Sequence, residues 1–343
     1  MSSAALRERS SVALDAYIVD LAWSPEGSAI AVAGGEGAVV LVNGVGDRLA
    51  PQSLGEHGMG TIAVAWQPGG KTIASSGQDS AVVLWDAVQG TAIKRLRPGT
   101  AWTGHIAFSP DGKVLATATG KVLALWDGAG EKLHSFEPLA GNIAAIAWDK
   151  PGRDLAAATA GAIHVHRHEP PAYPSRKYTW PAACLTVAFS PNGKVLASGM
   201  QDGTVHFWWL TTGKDSQMRG YASKVTLTEW SANSRYLATA SGPEVIVWDF
   251  GGRGPEGTAP LQLSGHTDRI THLAFHPSGP WLLSAGRDWR LSLWSPGKAK
   301  QSVDAHLTGG EITAIRWSPD GKRVALGDAK GRLTIYELQT REK

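Results

Sequence analysis

Apolar and polar residues alternate in short runs along the whole chain, and the runs recur in a fixed order. A segment such as Ile143–Trp148 alternates and ends on an aromatic residue. A turn follows, of the form Ser109-Pro110-Asp111-Gly112, in which proline fixes φ and glycine accepts a positive φ. Next comes an apolar run such as Val195–Ser198, then a polar turn such as Gln201-Asp202-Gly203. A third run, of which Ala81–Trp85 is an example, often closes on tryptophan, and a weaker fourth segment leads to the next unit. Period-two runs of four to six residues bounded by turn residues predict β-strands. No stretch keeps a helical apolar period for three turns.

The closing aromatics are Trp23, Trp66, Phe108, Trp148, Phe189, Trp230, Phe275 and Trp317, separated by intervals of 40 to 45 residues. Eight four-stranded antiparallel sheets are therefore expected. A lone sheet of this kind cannot cover its faces, so neighbours must stack. An open solenoid would need polar caps at its ends, but the first and last units are as apolar as the others. A closed ring meets the requirement and limits exposed edges. The eighth unit supplies three strands, the last at Arg332–Tyr336, while a spare segment near Leu6–Leu14 precedes the first unit. The expectation is an all-β, eight-bladed β-propeller over residues 1–343, a single domain whose last blade is completed by the N-terminal strand.

Composition narrows the function classes. The chain has 343 residues, 41 glycines, 15 tryptophans and only 18% charged residues. Its formal net charge is +3, too mild to argue for nucleic acid. The single cysteine, Cys184, rules out an intrachain disulfide and suits a reducing compartment. No signal-type apolar run opens the chain, and no segment reaches the length of a spanning helix. A cytoplasmic, soluble, monomeric protein is the expectation.

The residues also carry a family resemblance. Trp-Asp pairs stand at Trp85-Asp86, Trp126-Asp127 and Trp248-Asp249, and a Gly-His pair at Gly265-His266. In these motifs, over essentially its whole length, the chain resembles the WD40-repeat family. The resemblance implies a propeller used as a scaffold for protein partners, without catalytic activity of its own. It also implies a hydrogen-bonded set of His, Ser or Thr, Asp and Trp inside some blades. Blade 2 matches with His57, Ser75, Asp79 and Trp85, and blade 7 with His266, Ser284, Asp288 and Trp294. Blade 5 has Ser198, Asp202 and Trp208 but no matching His. Blade 8 has Lys330 and Tyr336 at the Asp and Trp positions. A Ser, His and Asp together invite a hydrolase reading. Recurrence in separate blades beside a Trp ring favours a structural network, in which a buried Asp accepts from the His and the hydroxyl while Trp Nε1 also donates.

Blade 4 is the least regular unit. His164, His166 and His168 fall on one strand face by period, with His206 of the next blade in the register of His164. His164, His166 and His206 are the candidate metal ligands, although alternate strand positions stand nearly 7 Å apart (about two residue rises). A packing variation is the simpler reading, and no cofactor is expected. The proline-rich run from Glu169 to Trp180 offers Tyr173, Arg176, Lys177 and Tyr178 as contacts.

The loops entering the first strands form the expected binding face. Six residues before each closing aromatic stand Tyr17, Gly60, Trp102, Asn142, Ala183, Lys224, Arg269 and Glu311. Trp180, Trp281 and Trp289 lie in or beside turns. Aromatics and arginine are common interface anchors, so Tyr17, Trp102, Tyr178, Trp180, Arg269, Trp281 and Trp289 are the candidate partner contacts. Two other functions stay open. One is a metal-binding or hydrolytic enzyme with a histidine site near blades 4 and 5. The other is a weak nucleic-acid binder using Lys94, Arg95, Arg97, Arg176 and Lys177, which sit in separate blades rather than along one basic stripe.

Overall fold

A computed structural model of the chain describes residues 3–46, 48–297 and 300–341. It contains eight antiparallel sheets and, among the described residues, no helix. Seven sheets show four separate strands, and the blade 4 sheet is assigned three. The exception is resolved by Asp154–Arg167. Fourteen residues in one straight strand would part their ends by roughly 40 Å. Instead Arg167 Nε donates to Asp154 Oδ1 at 2.8 Å and His168 N to Arg153 O at 2.7 Å. The segment is a hairpin folded at Ala160-Gly161, with Gly161 at φ +81°. It supplies both middle strands, so every blade has four.

Both faces of each blade are covered. Of the second strands, Ile30–Gly34, Val114–Thr119, Val195–Gly199 and Leu282–Gly286 are buried at every position. Such strands read as continuous apolar runs because neither face meets water. Buried apolar side chains fall into eight clusters, one at each junction between neighbouring blades. Within blade 1, Ile30 and Val32 pack toward blade 8, while Ala31 and Ala33 pack toward blade 2.

The ring closes through the first segment of the chain. Ser3–Ala13 runs antiparallel to Arg332–Arg341 and forms the outer strand of blade 8. Leu6 and Ala4 enter the cluster between blades 7 and 8, and Leu6 N donates to Asp304 Oδ2 at 2.7 Å.

The closing aromatics fasten blades to one another. Trp23, Trp148 and Trp317 each donate Nε1 to a carbonyl in the first strand of the preceding blade: Arg316 O, Ala107 O and Ala274 O, at 3.0 to 3.1 Å. The turn after the aromatic uses its serine twice. Ser109 Oγ donates to Asp111 Oδ1 at 2.6 Å and accepts from Val114 N at 3.0 Å; Ser190 and Ser318 repeat this with Asn192 and Asp320. Blade 6 places Ser234 where the other turns carry glycine, at φ +62°. That strained position brings Ser234 Oγ within 2.9 Å of Asn192 N, tying blade 6 to blade 5.

Candidate partner-binding face

In each blade the first strand descends, the second returns, and the third descends again. The loops leading into the first strands and the turns between second and third strands therefore share one face. Backbone bonds join the two sets. Gly35 N, Gln78 N, Gln201 N, Arg287 N and Ala329 N donate to the carbonyls of Tyr17, Gly60, Ala183, Arg269 and Glu311 at 2.9 to 3.0 Å. These are residues six before the closing aromatic, so in five blades that position is fixed to its own blade.

Three of the predicted contact residues stand out from this face: Tyr17 is 47% exposed, Trp102 58% and Trp289 47%. Met59, which sequence reasoning passed over, is exposed beside Gly60. The Tyr17 ring lies on Gly35, where any side chain would overlap it. Trp102 borders a shallow cleft of about 480 Å3 that also takes in Ala118, Asn142 and Ile143. Arg269 is half-buried, and its Nη2 donates to Thr226 Oγ1 of blade 6 at 3.0 Å.

Trp289 holds a positive φ of 60°. Blades 1, 5 and 8 carry glycine at the same register, at Gly37, Gly203 and Gly331. A bulky side chain in the left-handed region costs roughly 1–2 kcal/mol. The turn is held by Trp289 N donating to Gly286 O, and Trp289 O accepts from Thr308 N at 2.9 Å. Lys330 Nζ lies 5.8 Å from the ring centroid.

The other aromatic candidates sit elsewhere. Trp281 is only 5% exposed and packs in the cluster between blades 7 and 8, so its ring is unavailable at the surface. Trp180 lies within the strand Ser175–Ala183, stacked on His206 with centroids 3.8 Å apart. It stands nine residues before Phe189, the place His57 and His266 take in their blades. Tyr178 packs toward Trp208 at 5.7 Å. Tyr173 stacks on His134 of blade 3 at 4.0 Å.

The histidines do not converge on a common point. His164 and His166 are parallel, 6.3 Å apart. His166 Nδ1 pairs with Ser175 Oγ at 2.7 Å, and its ring lies against Phe136. His206 pairs instead with Asp215 Oδ2 at 2.9 Å. His168 lies beyond the strand and meets Trp148 edge-on. Among the described residues, no group of three or more His, Cys, Asp or Glu is arranged to hold a metal.

The polar sets of blades 2 and 7 have one wiring. Trp85 Nε1 donates to Ser75 Oγ at 2.8 Å; Ser75 Oγ meets His57 Nε2 at 2.8 Å; His57 Nδ1 meets Asp79 Oδ1 at 3.0 Å. Blade 7 repeats this through Trp294, Ser284, His266 and Asp288 at 2.7, 2.7 and 3.0 Å. The expected hydroxyl-to-Asp bond is replaced by a linear chain with serine as the link. Indole can only donate and carboxylate can only accept. The proton order follows: indole to serine, serine to His Nε2, His Nδ1–H to Asp. This order needs a neutral imidazole, and burial holds the pKa of both histidines below the ordinary value. Gly77 and Gly286 make the room, since a Cβ at either would crowd the ring.

These distances resemble a hydrolase triad, but Ser75 and Ser284 are fully buried and their oxygens already accept from indoles. A nucleophile has to reach its substrate, so the geometry supports a structural role. Blade 6 builds a variant with Tyr221, nine residues before Trp230. Trp248 Nε1 donates to Tyr221 OH at 2.7 Å, which pairs with Thr239 Oγ1 at 2.6 Å. Counting back from the closing aromatic could have found it. In blade 3, Trp126 Nε1 donates directly to Thr117 Oγ1 at 3.0 Å.

The chain link makes a testable demand. Ser284→Ala leaves the Trp294 indole and His266 Nε2 buried without partners, at an expected cost of about 2–4 kcal/mol. Ser198 of blade 5 donates only to backbone carbonyls, so Ser198→Ala should cost about 1 kcal/mol. Urea unfolding of both variants compares them, and equal losses would contradict the wiring.

The description "WD domain, G-beta repeat" matches residues 51–86, 94–127, 174–208, 257–295 and 297–337, more than half of the chain. The first matched segment starts in the outer strand of blade 1 and ends with the third strand of blade 2. Sequence unit and blade are thus out of phase by one strand. WD repeat-containing protein 1 of Bos taurus is 30% identical over 48% of this chain and 28% of its own length. The anaphase-promoting complex subunit cdc20 of Dictyostelium discoideum is 24% identical over 61% and 44%. A guanine nucleotide-binding protein subunit beta of Arabidopsis thaliana is 27% identical over 46% and 45%. The matched stretch spans less than half of each of these relatives. The crystal structure of the computationally designed Ika8 protein superimposes with a TM-score of 0.79 at 19% identity, covering 95% of this chain and 97% of that one; the likeness is one of fold.

Proposed function

The chain belongs to the WD40-repeat family, and from that premise we propose that it is a protein-interaction scaffold that engages a partner through its loop face. Two of the relatives carry names that make them subunits of larger assemblies. The observation that carries the proposal is Trp289. An exposed indole occupies a left-handed turn position where three sister blades use glycine. A residue that costs backbone strain and leaves about half of its surface exposed is best accounted for by a contact outside the chain. Tyr17, Met59 and Trp102 add exposed apolar surface to the same face, and Arg269 offers a guanidinium anchored at one end. Rigid presentation lowers the ordering cost of binding. No step of chemistry is required. Among the described residues no helix is long and apolar enough to cross a membrane.

Trp289→Gly is expected to keep or raise the melting temperature by removing backbone strain, while Trp102→Ala leaves it unchanged. Both should weaken partner capture at least tenfold. Quantitative affinity capture with the wild type and the two variants, alongside thermal melts, makes the comparison. If well-folded variants retain the same bound proteins in the same amounts, the loop face is not the docking surface.

A further inference from the structure

The face opposite those loops carries a second, independent site at the junction of blades 4 and 5. Asp154 opens the hairpin of blade 4 and is only 8% exposed. Its carboxylate is fully engaged: Oδ1 accepts from Arg167 Nε at 2.8 Å, and Oδ2 accepts from Arg167 Nη2 and Arg176 Nη2, each at 3.0 Å. One buried carboxylate therefore sets the planes of two guanidinium groups. Both remain open to solvent on their other edges, with side chains 43% and 54% exposed.

These arginines border a cleft of about 390 Å3 closed on its far side by the Pro191-Asn192-Gly193 turn of blade 5 and by Thr211. Lys150 and Arg153 also line it and are exposed. Among the described residues, neither forms a salt bridge. The second carboxylate, Asp149, is turned toward the backbone and accepts from Arg153 N and Asp154 N at 2.7 and 2.9 Å. Four cations thus face two carboxylates, and the buried one is already saturated. Among the lining residues the surplus is two positive charges, gathered around one pocket and not along a stripe; Glu169, outside the lining, is a further carboxylate acting on Arg167.

We propose that this cleft binds a dianionic phosphate monoester, carried on a phosphorylated segment of a protein partner. Guanidinium forks held in place match the paired oxygens of phosphate. Lys150 and Arg153 supply mobile charge at the mouth. A phosphoserine side chain near pH 7 bears a charge close to −2 with three acceptor oxygens, which matches the surplus. A single-stranded nucleic acid would call for aromatic platforms beside the cations, and no aromatic residue lines this cleft. The site stands apart from the loop face, so either can fail without the other.

The test uses the full chain in heteronuclear NMR titrations. The probes are an acetylated alanine-rich peptide containing one phosphoserine, its unphosphorylated twin, inorganic phosphate and a short oligothymidylate. The phosphopeptide should give saturable shifts confined to blades 4 and 5, with affinity at least tenfold above its unphosphorylated twin and above inorganic phosphate. The Lys150→Gln/Arg153→Gln double variant leaves Asp154 paired, and it should keep its melting temperature while losing at least tenfold in affinity. No phosphate-dependent binding, unchanged binding in the double variant, or tighter binding of oligothymidylate would each overturn the proposal. Inorganic phosphate binding as tightly as the phosphopeptide would overturn the assignment to a phosphorylated segment.

Discussion

A chain lacking residues 1–13 is expected to lose cooperative folding or to melt far below the full-length protein. The removed strand is the outer strand of blade 8, aligned from Ser3 opposite Arg341 to Ala13 opposite Arg332. Its loss strips the ladder partner from Arg332–Arg341 and takes Ala4 and Leu6 out of the cluster between blades 7 and 8. Leu6 is 3% exposed, and a fully buried leucine contributes about 1.5–3 kcal/mol. Ladder bonds at about 1 kcal/mol each bring the total above 5 kcal/mol, a large part of the net stability of most domains. The damage extends beyond one blade. Blade 8 also meets blade 1, through Trp23 Nε1 on Arg316 O and through Arg316 Nη2 on Asp20 Oδ1 at 2.6 Å. Circular-dichroism melts of the truncated and full chains decide this. Adding a synthetic peptide of residues 1–14 in trans should recover part of the lost stability. A truncated chain that melts within a few degrees of the full one would show that the closing strand is dispensable.

Mild acid should destabilise the fold. Nine histidines have folded-state pKa values below the ordinary value, with burial as the leading cause in each. His166 is pushed down to about 4 by burial and by the neighbouring His164 and His134, and His272 to about 4 by burial and by Arg316. The unfolded chain takes up these protons near pH 6.5, and the folded chain takes them up lower, those of His166 and His272 only near pH 4. Between those values the unfolded state binds more protons, so stability is complete above about pH 6.5 and falls as pH drops toward 4. His166 is 5% exposed and contributes about 3 kcal/mol over that window. Glu229 acts the other way. Burial raises its carboxyl to about 7, so its protonation favours the folded state over much of the same range. It offsets about one strongly shifted histidine. The lowered pKa values of Asp79 and Asp288 act below the window. The melting temperature should therefore fall by on the order of 10 °C between pH 7 and pH 4.5. His166→Phe, which keeps a ring beside Phe136, should flatten the slope. A profile that stays level down to pH 4.5 would refute this account.

The repeat spacing made the blade count legible, because eight aromatics at near-equal intervals leave few ways to stack eight sheets. The closing strand was legible too: three strands at one end and a spare one at the other is an arithmetic of segments. The residues of the blade 2 and blade 7 sets were expected from the family resemblance, at fixed offsets from the closing aromatic. Their wiring was not, since offsets say which side chains are near and not which atom faces which. Serine proved to be the link because it alone in the set can accept from indole while donating to imidazole.

What the sequence by itself determined is whatever depends on local period: strand lengths, turn chemistry, the number of blades, and which positions lie six or nine residues from a closing aromatic. What only the tertiary structure decided is the direction each irregular side chain takes. Trp281 and Trp289 lie eight residues apart in one blade, both beside turns. One ring is drawn into the cluster with blade 8, and the other is held outside by a left-handed turn. Arg176 was one of several cations in separate blades until the blade 4 hairpin brought it, together with Arg167, to Asp154. Stacking against a neighbouring blade selects among rotamers that the strand period leaves equal, and that choice depends on residues far away in the chain.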